Sequence, residues 1–103
     1  MSYKLRFVQH IRMDKVKEYL AIEKQFAELE QQYPEFPKGT RYMPVTGREP
    51  SNTLVWECNF ETLEAAQNAL AFLLNDTRHE ALFDTQSAFI LDSFAEIYKP
   101  FDA

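Results

Sequence analysis

Apolar and polar residues alternate in two separate stretches of the chain. The first is YKLRFVQHIR, residues 3–12, and the second is TLVWECNF, residues 53–60. A period of two is typical of a β-strand that turns one face toward a core. The apolar face of the first consists of Tyr3, Leu5, Phe7 and Ile11, and that of the second consists of Leu54, Trp56, Cys58 and Phe60.

The segments that follow these two strands have the periodicity of helices. Apolar residues of the stretch 15–33 fall on one half of a helix, which Asp14 is placed to cap and Pro34 to end. Thr62 is placed to cap a second helix, LEAAQNALAFLLN. This helix restarts at Asp76 or Thr77, and Thr77 with Glu80 has the spacing of a capping box.

Two further strands complete the pattern. Residues 40–47 read TRYMPVTG, and Pro44 predicts an edge strand because it cannot donate a ladder hydrogen bond. The last strand runs from about Ile90 to Lys99 and stops at Pro100. The order β-α-β-β-α-β predicts an α+β, ferredoxin-like domain over residues 1–103, with a four-stranded antiparallel sheet and helices on one face.

One face of this sheet is left without helices, and its predicted residues are not evenly polar. Val8 and Val55 point away from the helices if their neighbours face the core. On the last strand, Phe94 and Tyr98 oppose Ala95 and Ile97, and the pattern does not say which pair faces out. A large apolar area on an open sheet requires a cover, so we expect a homodimer.

Composition narrows the choice of partners. The net charge of −5 repels phosphate backbones, so we expect no nucleic-acid partner. The apolar stretch at residues 69–74 is too short to cross a bilayer, so we expect no membrane partner. Cys58 is the only cysteine, which fits a reducing, cytoplasmic location. Only Gly39 and Gly47 are glycines, so the chain has no glycine-rich nucleotide cradle, and we expect no cofactor.

Four segments resemble the dimeric α/β-barrel superfamily, and most closely its NIPSNAP-like members. They are RYMPVTG at 41–47, VWECNFETLEAAQNAL at 55–70, LNDTRHEALFDTQ at 74–86 and AEIYKPF at 95–101. The resemblance implies two ferredoxin-like subunits whose sheets face each other around a shared cavity. The superfamily includes small-molecule monooxygenases, haem-degrading enzymes, lactone isomerases and members without an assigned activity. No catalytic signature of the active families is present, so the resemblance assigns no catalytic residue.

The face that would line such a cavity carries the first candidate site. Arg6 and His10 share a face of the first strand, and Glu57 is out of phase with the core residues of its own strand. In the usual strand order Glu57 lies opposite or diagonal to Arg6 or His10, within side-chain reach. A carboxylate beside an imidazole can act as a general base or bind a polar ligand. The plainer interpretation is an ion-pair cluster that fixes a dimer.

Other residues have weaker support for a functional role. Glu23 and Glu30 fall inside the apolar half of the first helix, and the plainer interpretation is that both reach solvent at its margin. His79, in the first turn of a helix, is expected to be exposed and structural. Cys58 is expected to be a small core residue. No HxH, HExxH or CxxC spacing is present, so we expect no metal site.

Two classes of function remain open from the sequence. One is a protein that binds or transforms a small molecule, either in the cavity of the dimer or between sheet and helices; a cofactor-independent monooxygenase is one such case. The other is a non-enzymatic dimeric assembly module. A roomy pocket between the subunits, lined by Arg6, His10 and Glu57, favours the first, and a closed interface filled by side chains favours the second.

Overall fold

The computed structural model describes residues 2–102 and confirms the predicted α+β, ferredoxin-like fold. The strands are β1 (Tyr3–Ile11), β2 (Thr40–Tyr42), β3 (Thr53–Phe60) and β4 (Ile90–Tyr98). The helices are α1 (Val16–Gln32), α2 (Leu63–Asn75) and α3 (Thr77–Gln86). The strands form an antiparallel sheet in the order β2-β3-β1-β4.

Strand β2 is an edge strand as predicted, but it is shorter than the predicted 40–47. It pairs with β3 over Thr40–Tyr42, and the ladder ends before Pro44. Proline lacks the N–H that continued pairing requires. Pro44 therefore both restricts β2 to the edge of the sheet and limits its length.

The helix starts were predicted with mixed success. Thr62 caps α2 as predicted, its hydroxyl accepting from the Ala65 N–H at 3.1 Å. Asp14 does not cap α1; it lies in a 3₁₀ turn, Met13–Lys15, that precedes the helix. For α3 the cap is Asp76 rather than Thr77, and its carboxylate accepts from the N–H groups of Arg78 and His79.

The strand register decides which side chains face the helices. Phe7 lies opposite Trp56 on β3 and opposite Ala95 on β4, on the helix-facing side. Phe94 and Tyr98 therefore lie on the other side, called the open face below. An irregularity between His10 and Ile11 shifts the β1–β4 register only at the end of β1. Side chains along the rest of the strand therefore still alternate regularly between the two faces of the sheet.

Two groups of buried side chains hold the helices to the sheet. One contains Leu5, Phe36, Trp56 and Leu73, and the other contains Ile11, Tyr19 and Leu54. Phe36 comes from the loop after α1, where no periodic pattern marks it as a core residue. Members of both groups also line a cavity between the sheet and the helices.

Candidate functional site

A cavity of about 200 Å³ lies between the helix-facing side of the sheet and the helices. Most of its wall is apolar, and its main apolar side chains are Phe7, Phe26, Leu54, Trp56, Leu73 and Phe83. A dry protein cavity of about 150 Å³ can bind benzene. This cavity is therefore large enough for one aromatic ring with a short substituent.

Alternation along β1 and β3 places two aromatic rings side by side in the cavity wall. The ring centroids of Phe7 and Trp56 are 5.6 Å apart with an interplanar angle of 62°, an edge-to-face contact. Trp56 is the only tryptophan of the chain and is 7% exposed, which confirms its predicted burial. Its fluorescence therefore reports on this cavity.

Two glutamates of α1 lie at one end of the cavity, and an arginine of β2 binds both. Glu23 and Glu30 are 8% and 7% exposed. Arg41 Nε lies 2.6 Å from Glu23 Oε2, and both Nη groups of Arg41 bind the Glu30 carboxylate. Trp56 Nε1 donates to Glu30 Oε1 at 3.2 Å. The expectation that both glutamates reach solvent is wrong, because these donors compensate their burial.

The same contacts keep Arg41 charged. Burial lowers its pKa, but the hydrogen bond to Glu30 and the charge of Glu23 raise it by more, so the net pKa is above its usual value. Two carboxylates thus share one guanidinium, which leaves one negative charge at this end of the cavity.

Gln86, at the end of α3, is wholly buried beside Glu23 and also lines the cavity. Its Nε2 donates to Glu23 Oε1 at 2.9 Å and to the Tyr19 carbonyl oxygen at 3.4 Å. These two acceptors fix the orientation of the amide, because a flipped amide would turn an oxygen toward them. Gln86 Oε1 has no hydrogen-bond partner among residues 2–102.

His79 also lines the cavity, contrary to the expectation of an exposed position. The Asp76 cap holds the start of α3, and the imidazole is half-buried against Phe26 with ring centroids 4.8 Å apart. Burial lowers the pKa of His79, so the ring is neutral at pH 7. A neutral imidazole in an apolar cavity can accept a proton from a bound molecule.

The open face carries the three residues that the sequence singles out, but it separates them into two groups. Glu57 lies opposite Arg6, with Arg6 Nε 2.9 Å from Glu57 Oε2, and its other oxygen is 3.3 Å from Lys4 Nζ. His10 instead binds Glu49 of the β2–β3 connection and Asp92 of β4. The hydrogen bond to Glu49, followed by the influence of Asp92, raises the pKa of His10.

An apolar row separates these two groups of charges. Its members lie opposite one another across the four strands and are Tyr42, Val55, Val8 and Phe94. Val8 and Val55 are buried in the middle, while Tyr42 and Phe94 are exposed at the two edges. The mixed character that the sequence predicts for this face is therefore an ordered stripe with charged rows on both sides.

The residues at the polar end of the cavity were only partly predictable from the sequence. Glu23 and Glu30 could be recognised as unusual because they lie in the apolar half of a helix. Arg41 had no signal of its own, because a strand of three residues shows too little alternation to assign a face. Gln86 likewise stands at the end of a weakly amphipathic helix, where nothing in the sequence indicates burial.

The residues that the structure describes contain neither a membrane-spanning helix nor a metal site. Within residues 2–102, no helix combines the length and the apolar character needed to cross a membrane. In the same part of the chain, no three or more His, Cys, Asp and Glu side chains are grouped so as to hold a metal ion.

Comparison with known proteins supports the fold. The sequence matches no protein-family model and no curated protein. A NIPSNAP family protein from Agrobacterium tumefaciens has a similar structure, with a TM-score of 0.76 and 20% identity over 99% of this chain and 95% of that one. An uncharacterised NIPSNAP domain protein from Burkholderia xenovorans gives a TM-score of 0.73 and 16% identity over 97% and 94%.

A putative antibiotic biosynthesis monooxygenase from Nitrosomonas europaea has the same fold. The TM-score is 0.69 and the identity is 12%, over 96% of this chain and 98% of that one. The fold is thus shared with NIPSNAP proteins and with a protein described as a monooxygenase. Since fold does not fix function, the chemistry has to be argued from the cavity itself.

Proposed function

We propose that this protein binds a small, mainly apolar molecule in the cavity between sheet and helices, with the polar end of that molecule near Glu23. The observation that carries the proposal is the cavity of about 200 Å³, which combines aromatic walls with polar groups at one end. Apolar pockets with a few convergent polar groups are the usual form of ligand sites.

The open face offers less for a ligand. Both oxygens of Glu57 are engaged by Lys4 and Arg6, and both ring nitrogens of His10 are engaged by carboxylates. These ion pairs occupy the carboxylate of Glu57 and the imidazole of His10; Arg6 Nε is close to Glu57 but forms no hydrogen bond of good geometry within residues 2–102. This supports the plainer interpretation of Arg6, His10 and Glu57 as ion-pair residues of a surface.

A second candidate function is proton abstraction from the bound molecule, with His79 as the base. The specific observation in favour is a neutral imidazole in the cavity wall whose ring forms no side-chain hydrogen bond within residues 2–102. An electron-rich phenol or enol is the substrate class that such a base can activate. The similar fold of a putative monooxygenase supports testing cofactor-independent oxidation of such compounds, with molecular oxygen as the oxidant.

The binding proposal can be tested with a pair of variants on β4. Ser93 and Ala95 are both exposed on the helix-facing side of the sheet, but only Ser93 lines the cavity. Ser93→Phe should block the cavity, and Ala95→Phe should add the same ring beside it. The assay is a thermal-shift screen of monocyclic and bicyclic aromatic compounds, followed by titration of Trp56 fluorescence.

We expect saturating compounds to raise the melting temperature of the wild type and of Ala95→Phe by about 5 °C or more, because they bind only the native state. Ser93→Phe should show no shift and no change in fluorescence. Equal responses of the two variants would place the bound compound outside the cavity.

We also propose that a second copy of the chain covers the open face. The apolar row supports this, because stacked sheets bury such rows against each other. Phe94 is 39% exposed and Tyr42 is 53% exposed in a single copy. The rows of opposite charges beside the apolar row are suited to pair with their symmetry mates at the rim.

A further inference from the structure

We propose that the molecule bound in this cavity carries a protonated amine, which Glu23 binds at the polar end of the cavity. This inference rests on the proposed function, since it names the class of ligand for the same cavity. Three features support it: the balance of charges in the lining, the lack of a free cationic donor, and the buried amide of Gln86.

The charges in the cavity wall are predominantly negative. Glu23 and Glu30 face one another across Arg41 at the inner end, and Glu80 lies at the exposed rim. Lys38 also approaches, but its Nζ binds the backbone oxygen of Glu30 at 2.8 Å from an exposed position, and it does not line the cavity. His79 adds no charge at pH 7. A cationic ligand is therefore attracted, and a carboxylate is repelled.

The donors at the polar end are already engaged. Trp56 Nε1 donates to Glu30, and the Nε and both Nη groups of Arg41 donate to the two glutamates. Each carboxylate oxygen has more than one lone pair, so Glu23 still accepts from a ligand. The free donors left in the lining, such as the ring N–H of His79, are neutral, so a carboxylate ligand finds no free cationic donor here.

The buried amide of Gln86 is the third feature that indicates a cationic ligand, and it is independent of the charges. It is 0% exposed and lines the cavity, its Nε2 is fixed on Glu23 and Tyr19, and its Oε1 is an unused acceptor. Buried acceptors without a donor are rare and unfavourable. A ligand ammonium that binds Glu23 brings several N–H donors next to this oxygen.

The size of the cavity limits the apolar part of the ligand. A volume of about 200 Å³ takes one ring and a chain of two or three atoms. The best probe is therefore a set of three compounds of similar size: 2-phenylethylamine, 2-phenylethanol and phenylacetate. The first is a cation at pH 7, the second is neutral, and the third is an anion.

Titration of Trp56 fluorescence at pH 7 should show the amine binding at least about tenfold more tightly than the alcohol, since charge-assisted hydrogen bonds are roughly twice as strong as neutral ones. Phenylacetate should not bind. Glu23→Gln keeps the shape and removes the charge, so amine and alcohol should then bind within about threefold. Glu28→Gln, an exposed position on the same helix, is the matched control and should keep the preference.

The possible failures separate the two proposals. If the alcohol binds as tightly as the amine, or phenylacetate binds best, the inference fails while the proposed function stands. If the preference for the amine survives Glu23→Gln, Glu23 is not the residue that binds the ammonium. If Glu23→Gln does not fold, the comparison of the three compounds on the wild type still decides the charge of the ligand. Failure of every compound, here and in the aromatic screen, would refute the proposed function itself.

Discussion

Gly39 lies against the indole of Trp56 so closely that a Cβ at position 39 would come within 2.0 Å of Trp56 Cε2. The indole is buried and its Nε1 is bound to Glu30, so it has no free direction in which to move. A glycine is needed here for close approach rather than for an unusual backbone angle. The loop before β2 and the cavity wall are thus fitted to each other at this contact.

Gly39→Ala should therefore destabilise the protein by about 1–3 kcal/mol, the usual cost of overpacking. It should also change the emission of Trp56. Thr40→Ala, at the exposed neighbouring position, is the control and should change stability by no more than about 0.5 kcal/mol. Urea denaturation followed by circular dichroism measures both. A fully stable Gly39→Ala would mean that the indole is not held in this position.

Trp56 itself supplies a second test of the packing. Trp56→Ala removes the indole from the core and leaves one oxygen of Glu30 with one donor fewer. We expect a loss of about 3–5 kcal/mol in the free energy of unfolding. A loss below about 1 kcal/mol, which is typical of surface positions, would show that the two faces of the sheet are assigned the wrong way round.

Arg41 is predicted to be essential for the buried glutamates. Arg41→Met removes the guanidinium and leaves Glu23 and Glu30 buried without a cationic partner, which should cost about 3 kcal/mol or more. Adding Glu30→Gln to Arg41→Met should recover part of this loss, because one uncompensated charge is removed. Additive losses in the double variant would contradict the shared network, and chemical denaturation of the four proteins decides between the two outcomes.

The sequence predicted the sheet well because two strands keep a clear alternation over eight or more residues, with exceptions at Val8, Gln9 and Val55. It also placed Arg6, His10 and Glu57 on one face, because the alternation of side chains between the two faces depends only on position along each strand. It did not find the partners of His10. Glu49 lies in a loop, and the position of Asp92 depends on the irregular register at the start of β4.

The polar end of the cavity depends on contacts between distant segments, which periodicity does not describe. Glu23 and Glu30 could be recognised as unusual, but whether they are buried depends on Arg41, eighteen and eleven residues away, respectively. On β4 both candidate pairs were apolar, so only the pairing of Phe94 with Val8 assigns Phe94 and Tyr98 to the open face. In each case the local sequence is compatible with two positions of the side chain, and a tertiary contact decides between them.

The proposed dimer can be tested at the edge of the apolar row. Light scattering at micromolar concentration should give about twice the chain mass of 12.1 kDa. Phe94→Glu places a carboxylate in the apolar row and should give folded monomers, because Phe94 is exposed in the single copy. Leu91→Glu, on the same strand and 65% exposed but outside the row, should remain dimeric. A wild type that is monomeric would refute the proposal directly.

The chain has two histidines, and they are expected to titrate on opposite sides of the ordinary imidazole value. The hydrogen bond to Glu49, with the influence of Asp92, raises the pKa of His10 above 6.5. Burial lowers the pKa of His79 below 6.5. A single NMR titration of the imidazole C–H signals measures both values, and His10→Gln and His79→Gln assign them.

The consequences for stability have opposite signs. His10 favours its protonated form in the folded protein, so its contribution is complete below pH 6.5 and is lost as the pH rises through the raised pKa. His79 favours its neutral form, so its contribution is complete above pH 6.5 and is lost as the pH falls through the lowered pKa. Relative to the wild type, His10→Gln should therefore flatten the alkaline side of the stability profile, and His79→Gln should flatten the acid side. If the two signals titrate together near 6.5, neither histidine has the environment described here, and His79 loses its role as the neutral base of the cavity.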